Sequence, residues 1–389
     1  MKLADVCAVE KQVHDGSPLP YVGLEDIESS TGRYLGDFEP KTVQSNSFRF
    51  TPEHLLYGRL RPYLNKLITP EFTGHCSTEI FPIRPSEQLD RKFLFYWLSM
   101  QQTVDQIDGT CTGARMPRAN MNEVMDFEFL APSLPEQKRI VAILDEAFAG
   151  IAAATANAEK NLANARELFD GHLKALFDEE QPTWERKTLR QASLDFGRGK
   201  SKHRPRNDPK LYGGKYPFIQ TGDVRNCDHV ILESTQTYNE SGLAQSKLWP
   251  KGTICITIAA NIAETGILGF DACFPDSVIG MVVDPKQTTN DFVEYLLRSV
   301  QAQLKAAGKG SAQDNINLAT FEDRPFPFPE LEEQARIVET LNELSSFVRQ
   351  LEDLYGKKLS ALAELKQALL QKAFSGELTG IKTRHCEAA

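Results

Sequence analysis

The chain of 389 residues is long enough for two or more domains, and its hydrophobic content of 41% and charged content of 25% are ordinary for a globular protein. Its net charge of −9 excludes binding to nucleic acid through an overall positive charge, so any such role must depend on local basic patches. The seven cysteines lack C-x-x-C spacing, which suits a reducing cytoplasm and argues against a disulfide framework or a zinc site.

Residues 1–133 are predicted to form a first domain of mixed helix and strand. Short apolar runs alternate there with turn signals rich in glycine, serine and proline. The proline-bounded run 80–83 predicts a strand, and the aromatic run 93–98 predicts a buried helix after it. The start of the chain lacks the apolar segment of a signal peptide, and no apolar run approaches the roughly 18 residues that a membrane span needs.

Residues 134–180 are predicted to form a long helix that acts as a central spacer. Its apolar or small side chains recur in steps that alternate three and four, which is the seam of a coiled coil. A helix of this length extends about 65 Å and cannot bury the seam alone. The seam positions are Val141, Leu144, Phe148, Ile151, Thr155, Ala158, Leu162, Ala165, Phe169 and Leu176.

Residues 181–330 return to the mixed pattern and predict a second domain. The apolar runs 253–258 and 278–283 predict strands, and 292–304 predicts a helix. Three alternating prolines between 325 and 329 are interpreted as the end of this domain.

A second spacer helix is predicted over residues 331–380, with residues 381–389 as a tail. Its seam keeps the same steps at first and then shifts phase past Tyr355, so the region of Gly356 is expected to be a weak point of the packing. The seam positions are Ile337, Leu341, Leu344, Val348 and Leu351, then Leu359, Leu362 and Leu369.

The two predicted helices are copies of one another at an offset of 197 residues. Between 134–147 and 331–344, eight of fourteen residues are identical, and no gap is needed further on. A fixed internal period dictates architecture, and here it is half the chain. The domains repeat more weakly, as in Pro20-Tyr21-Val22 against Pro217-Phe218-Ile219. The order domain, helix, domain, helix favours two similar domains joined by an antiparallel pair of helices over two unrelated core helices.

No catalytic or metal-binding constellation emerges from the sequence. Gly199-Lys200-Ser201 resembles the end of a P-loop, but Leu194 stands where its first glycine is required. Residues 196–199 resemble a glycine loop for S-adenosylmethionine but lack the motifs that accompany one. His75-Cys76 has no partner at metal-ligand spacing. We therefore expect a protein that is not an enzyme and binds no cofactor or metal itself.

Local charge indicates DNA binding. Residues 185–210 contain nine basic and three acidic residues, and we interpret them as a loop that lies on phosphates or at a groove edge, against the alternative of a merely solvated loop. Arginine, asparagine and glutamine are the side chains that pair bidentately with guanine or adenine edges. The candidate DNA-binding residues are Arg59, Arg61, Lys66, Arg115, Arg118 and Asn120 in the first domain, and Arg198, Lys200, Lys202, Arg204, Arg206, Thr221, Lys309, Ser311, Gln313 and Asn315 in the second.

The duplicated helix start, Leu134-Pro135-Glu136-Gln137-Lys138-Arg139-Ile140-Val141 and its partner at 331–338, and the stretch Phe-Ile-Gln-Thr-Gly-Asp-Val at 218–224 resemble one family. It is the specificity subunit of Type I restriction–modification systems, and the resemblance covers almost the whole chain. The second copy departs from the pattern because it begins Leu331-Glu332-Glu333 instead of Leu-Pro-Glu.

The resemblance implies two target recognition domains, each of which reads one half of a bipartite site in double-stranded DNA. It implies an α+β fold in which the helices form an antiparallel coiled coil that sets the half-site spacing. It also implies docking of two modification (methyltransferase) subunits and of restriction subunits, which would supply S-adenosylmethionine and ATP with Mg²⁺. The predicted docking and coiled-coil residues are Val141, Leu144, Phe148, Leu162, Ile337, Leu341, Val348 and Leu362.

One further observation shapes the expected function. The domains differ at their polar positions, which predicts unlike half-sites and an asymmetric target in a cytoplasmic protein without a membrane. Two alternatives remain open at this point, a self-sufficient DNA methyltransferase or nuclease, and a coiled-coil scaffold without a DNA role.

Overall fold

The structure of the chain is a computed structural model that describes residues 1–113, 115–178, 183–259, 262–308, 318, 321 and 323–378. The chain divides into two compact units. Unit 1 comprises Met1–Lys160 and Tyr355–Ala389, and unit 2 comprises Asn161–Leu354. Each unit therefore holds one mixed domain together with part of each long helix.

Several of the helices begin where a polar side chain accepts hydrogen bonds from free backbone N–H groups. At the first of them, the carboxylate of Asp90 accepts hydrogen bonds from the N–H groups of Lys92 and Phe93. Within the described ranges the helices are α1 (Arg91–Leu98), α2 (Gln101–Gly109), α3 (Met121–Met125), α4 (Leu134–Asp178), α5 (Thr221–Asn226), α6 (Glu240–Ala244), α7 (Asn290–Gly308) and α8 (Leu331–Phe374).

The strands of unit 1 form two small sheets. The first has the order β1-β7-β4-β5 and is antiparallel throughout, and the second has the order β2-β6-β3, in which β2 runs parallel to β6. The strands are β1 (Cys7–Val9), β2 (Tyr21–Val22), β3 (Ser47–Phe50), β4 (Leu55–Gly58), β5 (Leu67–Ile68), β6 (Gly74–Ser77) and β7 (Ile80–Pro85).

The strands of unit 2 form three sheets, with the orders β11-β15-β14-β17-β9, β12-β10-β16-β13 and β18-β8. They are β8 (Glu185–Thr188), β9 (Ser193–Arg198), β10 (Tyr212–Phe218), β11 (Val230–Ile231), β12 (Gln236–Tyr238), β13 (Leu248–Trp249), β14 (Ile254–Thr257), β15 (Thr265–Leu268), β16 (Ala272–Cys273), β17 (Val278–Val283) and β18 (Pro325–Phe328).

The two domains share one plan. The run β9-β17-β14-β15 in unit 2 repeats the order β1-β7-β4-β5 of unit 1, and the parallel pair β10 and β16 repeats β2 and β6. A local hydrogen bond repeats as well. Asp26 accepts from the N–H of Gly23 at 2.7 Å, and Asp223 accepts from the N–H of Gln220 at 2.8 Å. The predicted internal repeat is confirmed down to these turns.

The long helices pack against each other within each unit. In unit 1, Leu144 near the start of α4 shares a core with Leu370 near the end of α8. In unit 2, Phe169 near the end of α4 shares a core with Leu341 near the start of α8. The start of each helix thus meets the end of the other, which is an antiparallel pairing. The predicted fold class, α+β with two similar domains and an antiparallel coiled coil, is confirmed.

The seam of the second helix differs from the prediction at its centre. Leu351 is 37% exposed, and Glu352 lies on the inner side instead, where it accepts a hydrogen bond from Arg166 of α4 at 2.6 Å. A partly exposed ion pair therefore stands at this level of the seam, where a search for apolar residues does not detect it. Helix α8 runs through Gly356 without interruption, so the predicted weak point does not break the helix.

A further prediction from the sequence was wrong. The stretch 185–210 is not one loop, because it contains β8 and β9; a turn joins these strands, and residues 199–208 form a loop before a short 3-10 helix. Two of the three alternating prolines, Pro325 and Pro327, lie in β18, the last strand before α8. In β18, Phe326 and Phe328 are buried, and the two-stranded pairing with β8 tolerates the missing N–H groups.

Among the described residues, one helix, Leu134–Phe177, is long and apolar enough to cross a membrane by length and composition. Asp145 and Glu146 interrupt its apolar residues, and the Ala-rich piece 147–158 alone is too short to span a membrane. Its largest apolar side chains, such as Leu144 and Phe169, lie in the cores that it forms with α8.

Candidate nucleic-acid interface

Two of the predicted contact residues in unit 1 converge on Glu79. The Nε of Arg59 donates to Glu79 at 3.0 Å, and the Nε of Arg118 donates to the same carboxylate at 3.0 Å. Burial opposes the ionisation of Glu79, but the hydrogen bond from Arg118 and the charge of Arg59 outweigh it and lower its pKa. Arg59 also lies over the ring of Phe81, 5.0 Å from its centroid. Both arginines are thus held in fixed orientations by the domain.

An exposed surface lies beside the two arginines that pair with Glu79. The N–H of Arg61 donates to the carbonyl of Pro117 at 2.8 Å, which joins the segment after β4 to the segment before α3. The side chains of Arg61 and Arg115 are exposed and make no hydrogen bond or ion pair to another described residue. Tyr63 is 53% exposed between them in sequence. Arg61 and Arg115 therefore have guanidinium groups available for an anion.

The remaining candidates of the first domain have local structural partners. The ammonium of Lys66 donates to the carbonyl of Leu24 at 2.7 Å, so it is turned toward the domain. Asn120 caps α3 by accepting from the N–H of Asn122 at 3.3 Å. Their predicted contact with DNA stays a prediction, and the structure assigns both a role in local folding.

In unit 2 the basic residues separate into two groups. The first supports the basic loop, which we define as residues 199–208. Arg204 donates to the carbonyl oxygens of Ser201 and His203, and the Nη2 of Arg206 donates to both carboxylate oxygens of Asp276, at 2.7 and 2.8 Å. His203 lies 2.9 Å from the carboxylate of Asp208. The two arginines therefore fix the shape of the loop.

The second group points outward. Arg198 at the end of β9, and Lys200 and Lys202 in the basic loop, are exposed and make no side-chain hydrogen bond or ion pair within the described ranges. The backbone beneath them is held, because the carbonyl of Lys200 accepts from Ser246 at 2.8 Å and the N–H of Gly199 donates to Val278 at 2.9 Å. A loop held in this way presents three cations at little cost in conformational entropy.

Gly199 allows the basic loop to leave the sheet at this point. A Cβ there would lie 2.2 Å from the carbonyl oxygen of Phe274, whereas a Cβ at Gly197 would meet nothing within 4 Å. The loop therefore approaches the backbone before β17 more closely than any side chain permits. Close approach, and not the P-loop resemblance, explains why glycine stands at 199.

The other candidates of the second domain are less informative. Thr221 opens α5 and is half-buried. Lys309, Ser311, Gln313 and Asn315 lie outside the described residues. The predicted coiled-coil residues all lie on the inner side of α4 or α8: Val141, Leu144, Ile337 and Leu341 are buried, and Phe148, Leu162, Val348 and Leu362 are half-buried.

Sequence reasoning missed the side chains that attach each domain to its helix. Gln137 and Gln334 are both fully buried, although they belong to a polar helix start. The signal that could have found them is the internal repeat, since both are glutamines at the same position of the two copies.

Comparison with known proteins identifies the family. The model of the Type I restriction modification DNA specificity domain matches residues 62–162 and 184–355, once in each half and over more than half of the chain. The chain belongs to this family. It is a DNA sequence-recognition subunit of the kind found in Type I restriction–modification systems, which agrees with the resemblance seen in the sequence.

Individual relatives agree with this assignment. The EcoDI specificity subunit of Escherichia coli is 27% identical over 191 residues, an alignment that spans 46% of this chain and less than half, 43%, of that relative. The StySPI specificity subunit of Salmonella potsdam is 21% identical, with 88% of this chain and 78% of that protein aligned.

Two solved structures have the same fold. A chain from a study of the assembly and conformational transition of the type I R-M system has a TM-score of 0.84 at 22% identity, with 97% of both chains covered. The HsdS subunit of Thermoanaerobacter tengcongensis has a TM-score of 0.61 at 21% identity and covers 97% of this chain and 96% of its own.

Proposed function

We propose that each of the two mixed domains reads one half of an asymmetric, bipartite site in double-stranded DNA, and that the coiled coil sets the distance between the halves. The observation that carries this proposal is that the two domains have the same strand order but different contact surfaces. Both domains share a strand order, yet the predicted contact residues that are exposed and make no side-chain hydrogen bond or ion pair within the described ranges differ: Arg61 and Arg115 in one, and Arg198, Lys200 and Lys202 in the other. None of the positions in one domain lies 197 residues from a position named in the other, so the contact surfaces are different. We therefore expect the two half-sites to differ.

The coiled coil also docks the other subunits in this proposal. Two modification subunits bind along α4 and α8 and bring S-adenosylmethionine to the bases, while restriction subunits use ATP and Mg²⁺. This chain contributes recognition and spacing in the cytoplasm and no chemical step. The support is the membership of a family of DNA specificity domains.

Methylation-sensitive long-read sequencing tests the proposal directly. The chain is co-expressed with its modification subunit in a host without other methyltransferases. We expect one methylated motif made of two unlike half-sites that are separated by a fixed number of unspecified bases. A contiguous motif would contradict the proposal.

Two assays separate the alternatives. Methyl transfer by the purified chain alone would favour a self-sufficient methyltransferase. A gel shift with the assembled complex that shows no preference for the methylated motif would favour a scaffold without a DNA role.

A further inference from the structure

Each domain is attached to its long helix by a buried glutamine. In unit 1, the side-chain amide of Gln137 donates to the carbonyl oxygens of Gln88 and Pro132 at 2.9 and 2.8 Å, and its oxygen accepts from the N–H of Asp90 at 2.7 Å. This glutamine contact joins the start of α4 to the residue that caps α1. All three hydrogen bonds are formed out of contact with solvent, since Gln137 is 0% exposed.

The glutamine contact is repeated in unit 2. The amide of Gln334 donates to the carbonyl oxygens of Gln287 and Pro329, each at 2.8 Å, and its oxygen accepts from the hydroxyl of Thr288 at 2.8 Å. Gln334 is also 0% exposed. It joins the start of α8 to the chain just before α7, which occupies the place of α1 in the second copy.

A second contact, which we call the tyrosine contact, lies further along the same helices. The hydroxyl of Tyr96 on α1 donates to Asp145 on α4 at 2.5 Å. In the other unit, the hydroxyl of Tyr295 on α7 donates to Asn342 on α8 at 2.8 Å. Asp145 and Asn342 are related by the offset of 197, as the two glutamines are.

We propose that the paired glutamine and tyrosine contacts are positioning elements for DNA recognition. They fix the angle of each domain on its helix and thereby restrict the methylated site to a single gap length. This inference rests on the proposed function. It assigns Gln137, Gln334, Tyr96 and Tyr295 a role in half-site spacing, although none of them belongs to the exposed basic surfaces.

A single contact would let the domain rotate about it, whereas two separated contacts on the same long helix prevent that rotation. The glutamine and the tyrosine partner are eight positions apart on the long helix, which is about 12 Å along its axis. Slippage of 1 Å at either end then turns the short helix by about 5° relative to the long one.

Hydrogen bonds supply this restraint because they are directional. The core around the contacts, which includes Phe93, Tyr96, Ile140 and Leu144 in unit 1, is mostly apolar, and its packing is less directional than a hydrogen bond. Loss of the hydrogen bonds is therefore expected to leave the domain attached but free to turn.

The charged residues near the tyrosine contact differ between the two units. In unit 1, Asp145 also pairs with Lys92 at 2.8 Å. In unit 2, the corresponding partner Asn342 is neutral, and Arg349 of α8 pairs instead with Asp228 at 2.9 Å. The hydroxyl-to-acceptor hydrogen bond is common to both, so an amide is a sufficient partner for the tyrosine. This difference provides a conservative substitution, Asp145→Asn, that the protein itself already uses.

The test measures gap length in the complete complex with its modification subunits. The variants are Gln137→Met with Tyr96→Phe, and Gln334→Met with Tyr295→Phe. Long-read methylation sequencing is expected to show at least a tenfold rise in methylated sites whose gap is one base longer or shorter, with both half-site sequences unchanged. Asp145→Asn and Tyr34→Phe, which removes a hydroxyl that donates to Asp37 elsewhere in unit 1, are expected to keep the wild-type gap.

A gap distribution identical to wild type in both double variants would overturn the proposal, as would a change in the half-site bases. Should Gln137→Met prevent assembly, Tyr96→Phe alone decides the question, because it removes one oxygen and leaves the core intact. The result for the wild-type complex distinguishes failure of the proposed function from failure of the positioning role. Absence of any bipartite motif there overturns the proposed function itself, whereas a bipartite wild-type motif with unaltered variants overturns only the positioning role.

Discussion

Removing the outward cations of the basic loop and of the adjoining end of β9 should change how DNA binding depends on salt. The variant replaces Arg198, Lys200 and Lys202 with alanine, and leaves Arg204 and Arg206 in place because they hold the loop. Each phosphate contact contributes about 0.9 to the slope of log affinity against log salt concentration. If all three cations contact phosphates, the slope becomes shallower by about 2.7. The wild-type complex would then lose roughly 40-fold more affinity for DNA than the variant when the salt concentration rises from 50 to 200 mM.

Fluorescence anisotropy with a duplex that contains the methylated motif measures this slope for the assembled complex. A matched control removes three exposed lysines elsewhere in unit 2, Lys215, Lys251 and Lys286, and so makes the same change in net charge. The control should keep the wild-type slope. If the loop variant and the control gave equal slopes, the effect would be one of total charge, and the loop would not lie on the phosphates.

Three more outcomes are expected. Deleting one seven-residue piece from the middle of each long helix shortens the helix pair by about 10 Å. Methylation sequencing should then show a gap between the half-sites that is about three base pairs shorter. An unchanged gap would contradict the spacing role. Hydrogen bonds that His229 donates to Asp291 and Glu294 raise its pKa to about 9, so its stabilisation is full below its unfolded value of about 6.5 and is lost as the pH rises through 9. Thermal unfolding should show a steeper alkaline loss for wild type than for His229→Gln, with His203→Gln as the control. Gly199→Ala should lower the free energy of unfolding by about 1–3 kcal/mol, because its Cβ would collide with Phe274, whereas Gly197→Ala in a parallel denaturant titration should be almost neutral.

The sequence by itself predicted the architecture because periodicity is a local signal. Steps of three and four residues and an exact offset of 197 residues were enough to predict two long helices and two similar domains. The β17 run 278–283 was predicted with its observed bounds, since a buried strand appears as an unbroken apolar run. The basic composition around residue 200 likewise marked the loop that presents Lys200 and Lys202 outward.

Only the tertiary structure decided which polar side chains face solvent and which hold the fold together. Arg206 and Lys202 look alike in the sequence, but the first is paired with Asp276 and the second is exposed. Gln137 looks like a surface residue at a helix start, yet two long-range hydrogen bonds, to Gln88 and Asp90, and one local hydrogen bond, to Pro132, make its burial favourable. The physical reason is that a polar group is buried only where distant partners satisfy it, and those partners are brought together by folding and not by proximity in the chain.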